Sequence, residues 1–280
     1  MNPLPRVPAL LLILLAGLIA APLARAQVAL TPQIYTIDLD KPDQTWSFRL
    51  INFTKDPKPV TVSVINWTMD AKGDVLPAPL EEQSLAPWIQ INPTSFVLPA
   101  NGSQVVRFAI RPAVPLGPGE HRAMIFFNEQ PQGAQPKGTF RALFRLGAAI
   151  YARVSPYTML GEILSVRPDA HGVSFEVRNS GSATTRMEGQ FVVWKKGSVP
   201  ATGPWPAHLG QPDFKPPKGL ATSGALPLDA DLPGLTRSVR LQFNDKAGLA
   251  PGSYVIYLRG HFGTPAIDRE LAFVVPVKPH

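Results

Sequence analysis

The sequence predicts an all-β protein built from two antiparallel β-sandwiches, and three observations lead to this prediction. Apolar and polar residues alternate in short runs, and no stretch after the N-terminal segment keeps the apolar period of 3.6 that is typical of helices. Turn signals rich in Pro, Gly and Asn separate these runs. The 280 residues include 32 prolines, and 17% of the residues are charged, a composition that suits strands and turns.

The N-terminal segment resembles a cleaved export signal. Arg6 supplies a positive charge, residues 9–21 form a Leu-rich apolar run, and residues 24–26 (Ala-Arg-Ala) fit the cleavage pattern. We therefore expect residues 1–26 to be removed and the mature chain to begin at Gln27. The alternative is an uncleaved membrane anchor, but the run is shorter than the roughly 20 residues that a span needs. No later run is long enough to cross a bilayer, so we expect no membrane span in the mature protein.

Composition excludes several classes of function. The chain has no cysteine, so neither disulfides nor thiol catalysis are available to it. Without the two arginines of the signal, 25 of the 27 basic residues remain against 20 acidic ones, a net charge of +5. The excess is spread along the chain and forms no Lys/Arg run, so we expect no nucleic-acid partner.

The runs fall into two sets. The first set of predicted strands consists of residues 28–39, 45–52, 60–67, 105–110, 123–127 and the long run 140–154. The second set consists of residues 160–167, 173–179, 189–195, 238–243, 254–261 and 269–277. Ser155-Pro156 breaks the chain between them, which predicts a first domain of residues 27–154 and a second of residues 155–280. Short strands at this spacing favour antiparallel sandwiches.

One connection and one strand suggest binding. Residues 197–227 are rich in Pro and Gly and are longer than most loops. They are either a loose connection or, because they include Trp205 and Phe214, a loop that contacts a partner. The run 140–154 ends the first set as an unusually long strand, and a long strand can be offered to a partner as an added strand of its sheet.

Motifs for catalysis and metal binding are missing from the sequence. The five histidines form no H-x-H or HExxH arrangement, and there is no G-x-S-x-G elbow, P-loop or dinucleotide fingerprint. The adjacent Glu81 and Glu82 point apart on an extended chain and are interpreted as solvated charges. We therefore predict no enzyme activity, no metal and no cofactor. A catalytic triad assembled from residues far apart in the sequence is the alternative that stays open.

Four segments, in order, resemble one family. They are SFRLINFTKDPKPVTVSVINWTMDAKGDVL (47–76), WIQINPTSFVLPANGSQVVRFAIRP (88–112), HRAMIFFN (121–128) and FRALFRLGAAIYARV (140–154). Together they are similar to the first domain of the PapD-like periplasmic chaperones of chaperone–usher pili. The second half of the chain resembles that family only in its length and in the style of its strands.

The resemblance implies two immunoglobulin-like β-sandwich domains set at an angle, located in the periplasm. The last strand of the first domain would donate alternating apolar side chains to a pilus subunit that lacks a strand, and an outer-membrane usher would be a further partner. By strand parity the donor side chains are Phe140, Ala142, Phe144 and Leu146. The alternative is that this face completes the protein's own core. The resemblance is compatible with a monomer or with a dimer that caps itself.

The chain departs from the family at the basic clamp for the subunit's terminal carboxylate. Ile34 and Ala149 stand where the resemblance implies an Arg on the first strand and a Lys on the last strand. Arg145 and Arg153 share a strand face with Ala149 and are candidates for carboxylate capture in a shifted register, or they are solvated arginines. The family's ion pair between domains would use Arg153, but Arg122 stands at the position expected for its acidic partner.

These observations support two hypotheses. The first is a periplasmic chaperone that binds and stabilises pilus, fimbrial or other surface-fibre subunits by donor-strand complementation. The alternative is a PapD-like structural adaptor of the cell envelope, which would hold a partner through its sheet edges or through residues 197–227 without donating a strand.

Overall fold

The computed structural model describes residues 27–41, 44–133, 142–244 and 247–277. In these residues the chain forms 18 β-strands and one 3₁₀ turn, Ala86–Trp88, so the predicted all-β class is confirmed. The predicted export signal, residues 1–26, and the predicted donor residue Phe140 lie outside the described residues.

The first sandwich contains the strands up to β11. Their bounds are β1 (Val28–Thr31), β2 (Ile34–Asp38), β3 (Trp46–Asn52), β4 (Lys58–Ile65), β5 (Trp67–Met69), β6 (Val75–Pro77), β7 (Ile89–Asn92), β8 (Ser95–Leu98), β9 (Ser103–Ile110), β10 (Gly119–Glu129) and β11 (Arg145–Val154). One sheet has the order β1-β3-β9-β7 and the other β2-β11-β10-β4-β8, while β5 and β6 form a separate hairpin. This is the strand arrangement of an immunoglobulin-like sandwich.

Two prolines turn the chain from one sheet to the other. The run 28–39 was predicted as a single strand, which is wrong: β1 pairs with β3, whereas β2 pairs in parallel with β11. Pro32 lies between them, and a proline has no N–H to continue a ladder. In the same way Pro93 separates β7, which pairs with β9, from β8, which pairs with β4. Each proline therefore marks the point at which the chain passes from one sheet of the sandwich to the other.

The core of the first sandwich is built from every second residue of its strands. Phe48 and Phe108 are fully buried on the adjacent strands β3 and β9, with stacked rings whose centroids lie 5.1 Å apart. Phe127 of the other sheet meets Phe48 edge-on at 5.5 Å. Burying one such ring stabilises the fold by roughly 1.5–3 kcal/mol. The period-2 pattern of the sequence therefore reports the inward-facing side chains correctly.

The second sandwich contains the remaining strands. Their bounds are β12 (Gly161–Pro168), β13 (Gly172–Asn179), β14 (Met187–Lys195), β15 (Leu220–Ala225), β16 (Thr236–Gln242), β17 (Gly252–Phe262) and β18 (Ala266–Val275). The sheets have the orders β12-β13-β16 and β15-β14-β17-β18. A separate apolar core, which includes Phe175, Phe191 and Ile256, lies between them. The predicted fold class of two immunoglobulin-like sandwiches is confirmed.

The connection 197–227 is held against the second sandwich. Its last part forms β15, which pairs with β14. The indole Nε1 of Trp194 donates a hydrogen bond of 2.8 Å to the Pro204 carbonyl. The Arg259 guanidinium lies 4.3 Å from the centre of the Trp205 ring. These contacts hold Pro204, Trp205 and β15 against the second sandwich, while contact of this segment with a partner stays a prediction.

The β5–β6 hairpin reaches from the first sandwich to the second. The Asp70 carboxylate shapes its turn by accepting N–H bonds from Lys72 (2.8 Å) and Asp74 (2.9 Å). At the tip, the Ala71 carbonyl accepts a hydrogen bond from the Ser238 N–H at 3.3 Å. Gly73 packs so closely on the Arg237 guanidinium that a Cβ there would collide with it. The two sandwiches are therefore in contact through this hairpin.

We expect Phe48→Ala to lower the free energy of unfolding of the first sandwich by about 3–5 kcal/mol, because it leaves a cavity beside the rings of Phe108 and Phe127. Urea denaturation of the mature protein measures this change. The matched control is Phe53→Ala, just after the same strand, where the side chain is 58% exposed. We expect the control to change stability by less than about 0.5 kcal/mol. Equal effects of the two substitutions would contradict the assignment of the core.

Candidate partner-binding edge

The predicted long strand is shorter than the sequence pattern suggests. A strand over residues 140–154 was predicted, but β11 begins at Arg145, and residues 142–144 are irregular. The β10–β11 ladder ends at the pair Asn128↔Arg145. At the next position the Phe144 N–H turns to the Glu129 carboxylate (3.3 Å) instead of a main-chain carbonyl. The regular ladder stops there for this reason.

Part of β11 has a strand on one side only. Strand β10 pairs along all of β11, whereas β2 pairs in parallel only from Ala149↔Ile34 onward. Among the described strands, none pairs with residues 145–148 on the side away from β10. A sheet edge of this kind is a template on which another chain can add a strand.

The main-chain groups on this side can be assigned from the pairing. The Ala149 N–H donates a 2.9 Å bond to the Gln33 carbonyl, so Ala149 points its main-chain groups towards β2. Alternate residues of a strand point their N–H and C=O groups to the same side. The main-chain groups of Arg145 and Gly147 therefore face the open side. We call residues 145–148 the open edge.

The predicted donor face also serves the protein's own core. Ala148 and Ile150 are fully buried in the first sandwich. Phe144 and Leu146 are half-buried and pack against the same core, and Ala142 is exposed. Burial on this face thus falls steadily towards the start of the strand. The alternative that the face completes the chain's own core applies to its C-terminal part, and the donor role of the earlier residues stays a prediction.

The positions of the missing basic clamp are neighbours in the structure. Ile34 and Ala149 are directly paired in the parallel ladder, and Ile34 is 52% exposed. Met124 pairs with Ala149 from the other side. The end of the open edge is therefore an apolar surface. Arg145 lies at the opposite end, exposed, with its guanidinium 3.8 Å from the centre of the Phe126 ring.

Arg153 is engaged in an ion pair. Its Nε lies 3.2 Å from the Glu120 carboxylate, and its Nη2 donates to the Thr184 carbonyl at 3.0 Å. The expectation that Arg122 occupies the acidic position was wrong. Glu120 is the acidic partner, two residues earlier on the same strand face, and Arg122 lies 3.5 Å from it. The guanidinium that was a candidate for carboxylate capture is therefore directed to a carboxylate of its own chain.

Glu120 connects the two sandwiches. Its fully buried carboxylate accepts hydrogen bonds from the N–H of Thr184 (3.0 Å) and from the Thr184 hydroxyl. Glu120 belongs to β10, whereas Thr184 precedes β14 of the second sandwich. Nearby, burial raises the pKa of Tyr151, and the Arg186 guanidinium, 5.6 Å from the ring centre, opposes this rise.

Sequence reasoning missed a second buried ion pair, at the other end of β10. The Nζ of Lys58 lies 2.9 Å from the Oε1 of Glu129, and the two side chains are 8% and 1% exposed. A signal for it exists in the sequence. Lys58 is in phase with the inward-facing Val60, and Glu129 is in phase with Phe127, so both charges fall on the buried side of their strands.

The described part of the chain contains neither a candidate metal site nor a candidate membrane-spanning helix. None of its groups of His, Asp or Glu residues is placed to hold a metal ion. None of its helices has the length and apolarity to cross a membrane.

No protein-family model matches the chain, and no curated protein matches it. Solved structures with a similar fold include the class 5 fimbriae chaperone CfaA (TM-score 0.45, 10% identity, covering 90% of this chain and 100% of that chain). The YadV chaperone has a TM-score of 0.45 at 12% identity, over 89% of this chain and 100% of that one. The CsuC–CsuE chaperone–tip subunit pre-assembly complex of Acinetobacter baumannii gives 0.43 at 14%, over 88% and 98%.

We expect Glu120→Ala to destabilise the protein by about 3–5 kcal/mol, because it leaves the buried Arg153 guanidinium without its counter-charge. Urea denaturation measures the free energy of unfolding. The control is Glu162→Ala, which removes an ion pair with Arg178 whose side chains are both 50% exposed. There we expect a change below about 1 kcal/mol. A similar small loss for Glu120→Ala would show that this ion pair does not hold the junction.

Proposed function

We propose that this protein is a periplasmic chaperone that binds subunits of pili or other surface fibres by donating the start of β11. The observation that supports this most is the open edge, residues 145–148, beside a face whose burial falls from Ala148 to Ala142. In this proposal residues 1–26 export the chain, residues 27–154 form the binding domain, and residues 155–280 form the second domain. An outer-membrane usher would receive the loaded complex.

The physical basis is the repair of an incomplete sandwich. A subunit that lacks a strand exposes an apolar groove and an unpaired edge, and both favour aggregation. A strand laid along the open edge gains main-chain hydrogen bonds, and every second donor side chain enters the groove. Transferring Phe144 and Leu146 from partial to full burial adds up to roughly 1.5–3 kcal/mol each. The proposed donor side chains are Phe140, Ala142, Phe144 and Leu146.

The geometry of β2 limits the length of the added strand. Because β2 occupies the edge from Ala149 onward, a partner strand must end at Ile34. Its last residue there meets Ile34, which is apolar and 52% exposed. Arg145 remains our candidate for capturing a carboxylate of the partner, whereas Arg153 is omitted because Glu120 already engages it.

A second candidate function is the structural adaptor that holds a partner without donating a strand. The apolar pair Ile34 and Ala149 favours it, because the basic clamp of the resembling family is missing there. The segment 197–227, which is held to the second sandwich at Pro204 and Trp205, would offer an additional contact surface. Donation requires the open edge and the adaptor does not, so substitutions at that edge separate the two functions.

We expect Ala142→Asp to weaken capture of the partner more than about tenfold, because a charge on the donor face would be buried in the partner's groove. The matched control is Leu143→Asp, at the adjacent residue, which is 43% exposed and belongs to the opposite face by strand parity. Tagged protein isolated from the periplasm identifies the partner, and titration with that purified partner measures the affinity. Phe144→Asp should act as Ala142→Asp does. Equal binding by Ala142→Asp and Leu143→Asp would favour the adaptor.

We expect Arg145→Pro to weaken the same binding about three- to tenfold, because it removes one N–H donor from the open edge. The substitution leaves the β10 ladder intact, since this N–H faces away from β10, and a proline is tolerated at such an edge. Arg145→Ala is the control that removes only the guanidinium. If the proline variant binds as tightly as the alanine variant, main-chain pairing at Arg145 does not contribute to binding.

A further inference from the structure

The start of the proposed donor strand is held by the buried ion pair of Lys58 and Glu129. Lys58 is the first residue of β4 and Glu129 is the last residue of β10. Their charged groups lie 2.9 Å apart, and hardly any of either side chain is exposed. The pair therefore sits where the chain leaves the regular sheet, directly beside Phe144.

Glu129 binds the main chain of Phe144 at two points. The Glu129 N–H donates to the Phe144 carbonyl at 3.0 Å, as in a normal antiparallel pair. In such a pair the second bond would run from the Phe144 N–H to the Glu129 carbonyl. Here the Phe144 N–H donates to the Glu129 side-chain Oε2 at 3.3 Å instead. A carboxylate thus takes the place of a main-chain carbonyl in the last rung of the ladder.

A contribution to stability explains this arrangement poorly. The cost of removing two charges from water largely cancels the attraction of a buried ion pair, and apolar residues of similar size often serve as well. The carboxylate nevertheless has a defined geometric task, since one of its oxygens meets Lys58 and the other meets Phe144. The ammonium group fixes the orientation in which the second oxygen can reach the Phe144 N–H.

We propose that Lys58 and Glu129 are positioning residues that clasp the start of the donor strand. The clasp holds the main chain of Phe144, so that its side chain stays on the donor face and the preceding residues leave the sheet from a fixed point. The use of the clasp in partner binding rests on the proposed function. The clasp itself is a property of the free protein and can be measured without a partner.

Glu129→Gln keeps the size of the side chain but removes its charge and one of its two acceptor oxygens. Its amide has one oxygen to accept and one NH2 group to donate, but Lys58 and the Phe144 N–H both present donors. Glu129→Gln can therefore satisfy only one of these two groups. In the double variant Lys58→Met/Glu129→Gln the ammonium no longer competes with the Phe144 N–H for the amide oxygen.

Hydrogen exchange of the Phe144 amide in the full mature protein tests the clasp. We expect Glu129→Gln to raise its exchange rate about tenfold or more, as for loss of a hydrogen bond to a charged group. Lys58→Met/Glu129→Gln should bring the rate back towards that of the unmodified protein. The control Glu82→Gln, at an exposed residue of the same sandwich, should leave the rate unchanged. The clasp is refuted by an unchanged rate in Glu129→Gln, by a double variant that fails to recover, or by an equal rise at the core amides of Ile125 and Ile150.

Partner capture with the same variants tests the use of the clasp. Glu129→Gln should weaken capture and the double variant should restore it; full capture by Glu129→Gln despite a freed Phe144 amide would overturn the positioning role. Failure of the donor proposal looks different. In that case Ala142→Asp binds the partner normally, whatever the exchange rate at Phe144.

Discussion

The antiparallel ladder between β10 and β11 sets the positions of the groups discussed above. It runs from Gly119↔Val154 to Asn128↔Arg145 and lies in the middle of its sheet, between β2 and β4. This register places Glu120 beside Arg153 at one end and Glu129 beside Phe144 at the other. A slip by one residue would move every side chain of β11 to the opposite face. The junction, the core and the proposed donor face would then be lost together.

A buried carboxylate lies at each end of β10, and the two carboxylates are on opposite faces of the strand. Glu120 is directed away from the core of the first sandwich and joins the second, while Glu129 points inward. Each carboxylate is fully or almost fully buried, and each has a cationic partner within 3.2 Å. Both also accept a main-chain N–H from a segment outside their own strand. The middle of β10 is apolar, and a buried carboxylate at each end binds a segment outside the strand, Thr184 at one end and Phe144 at the other.

The sequence predicted the strands well where one face is buried and the alternation is clean. The predicted run 45–52, for example, contains β3, whose residues alternate between more and less buried positions. It failed at Pro32, because the apolar alternation continues through a residue where the chain changes sheets. It also predicted strand at residues 142–144, which are irregular, since parity says nothing about where a partner strand stops. Pairing is a long-range property, and a pattern within one segment does not contain it.

The candidate site was predicted in the same uneven way. Strand parity placed Phe144 and Leu146 on one face, and both pack against the core of the first sandwich, while their donor role stays a prediction. The pairing of Ile34 with Ala149 agrees with the resemblance. The acidic partner of Arg153 was misplaced by two residues, a shift that keeps the same strand face and so leaves no trace in the pattern. The contact of Glu129 with Lys58 joins residues 71 positions apart. Only the packing of β4 against β10 brings these two charges together.

The β5–β6 hairpin has a mechanical consequence for the molecule as a whole. Two bodies that share a single pivot can swing about it, whereas a second, separate point of attachment removes that freedom. The sandwiches meet at the buried carboxylate of Glu120 and again at the hairpin tip, where Ala71 contacts Ser238. The orientation of the two sandwiches is therefore set by contacts within the chain itself, and it does not depend on a partner.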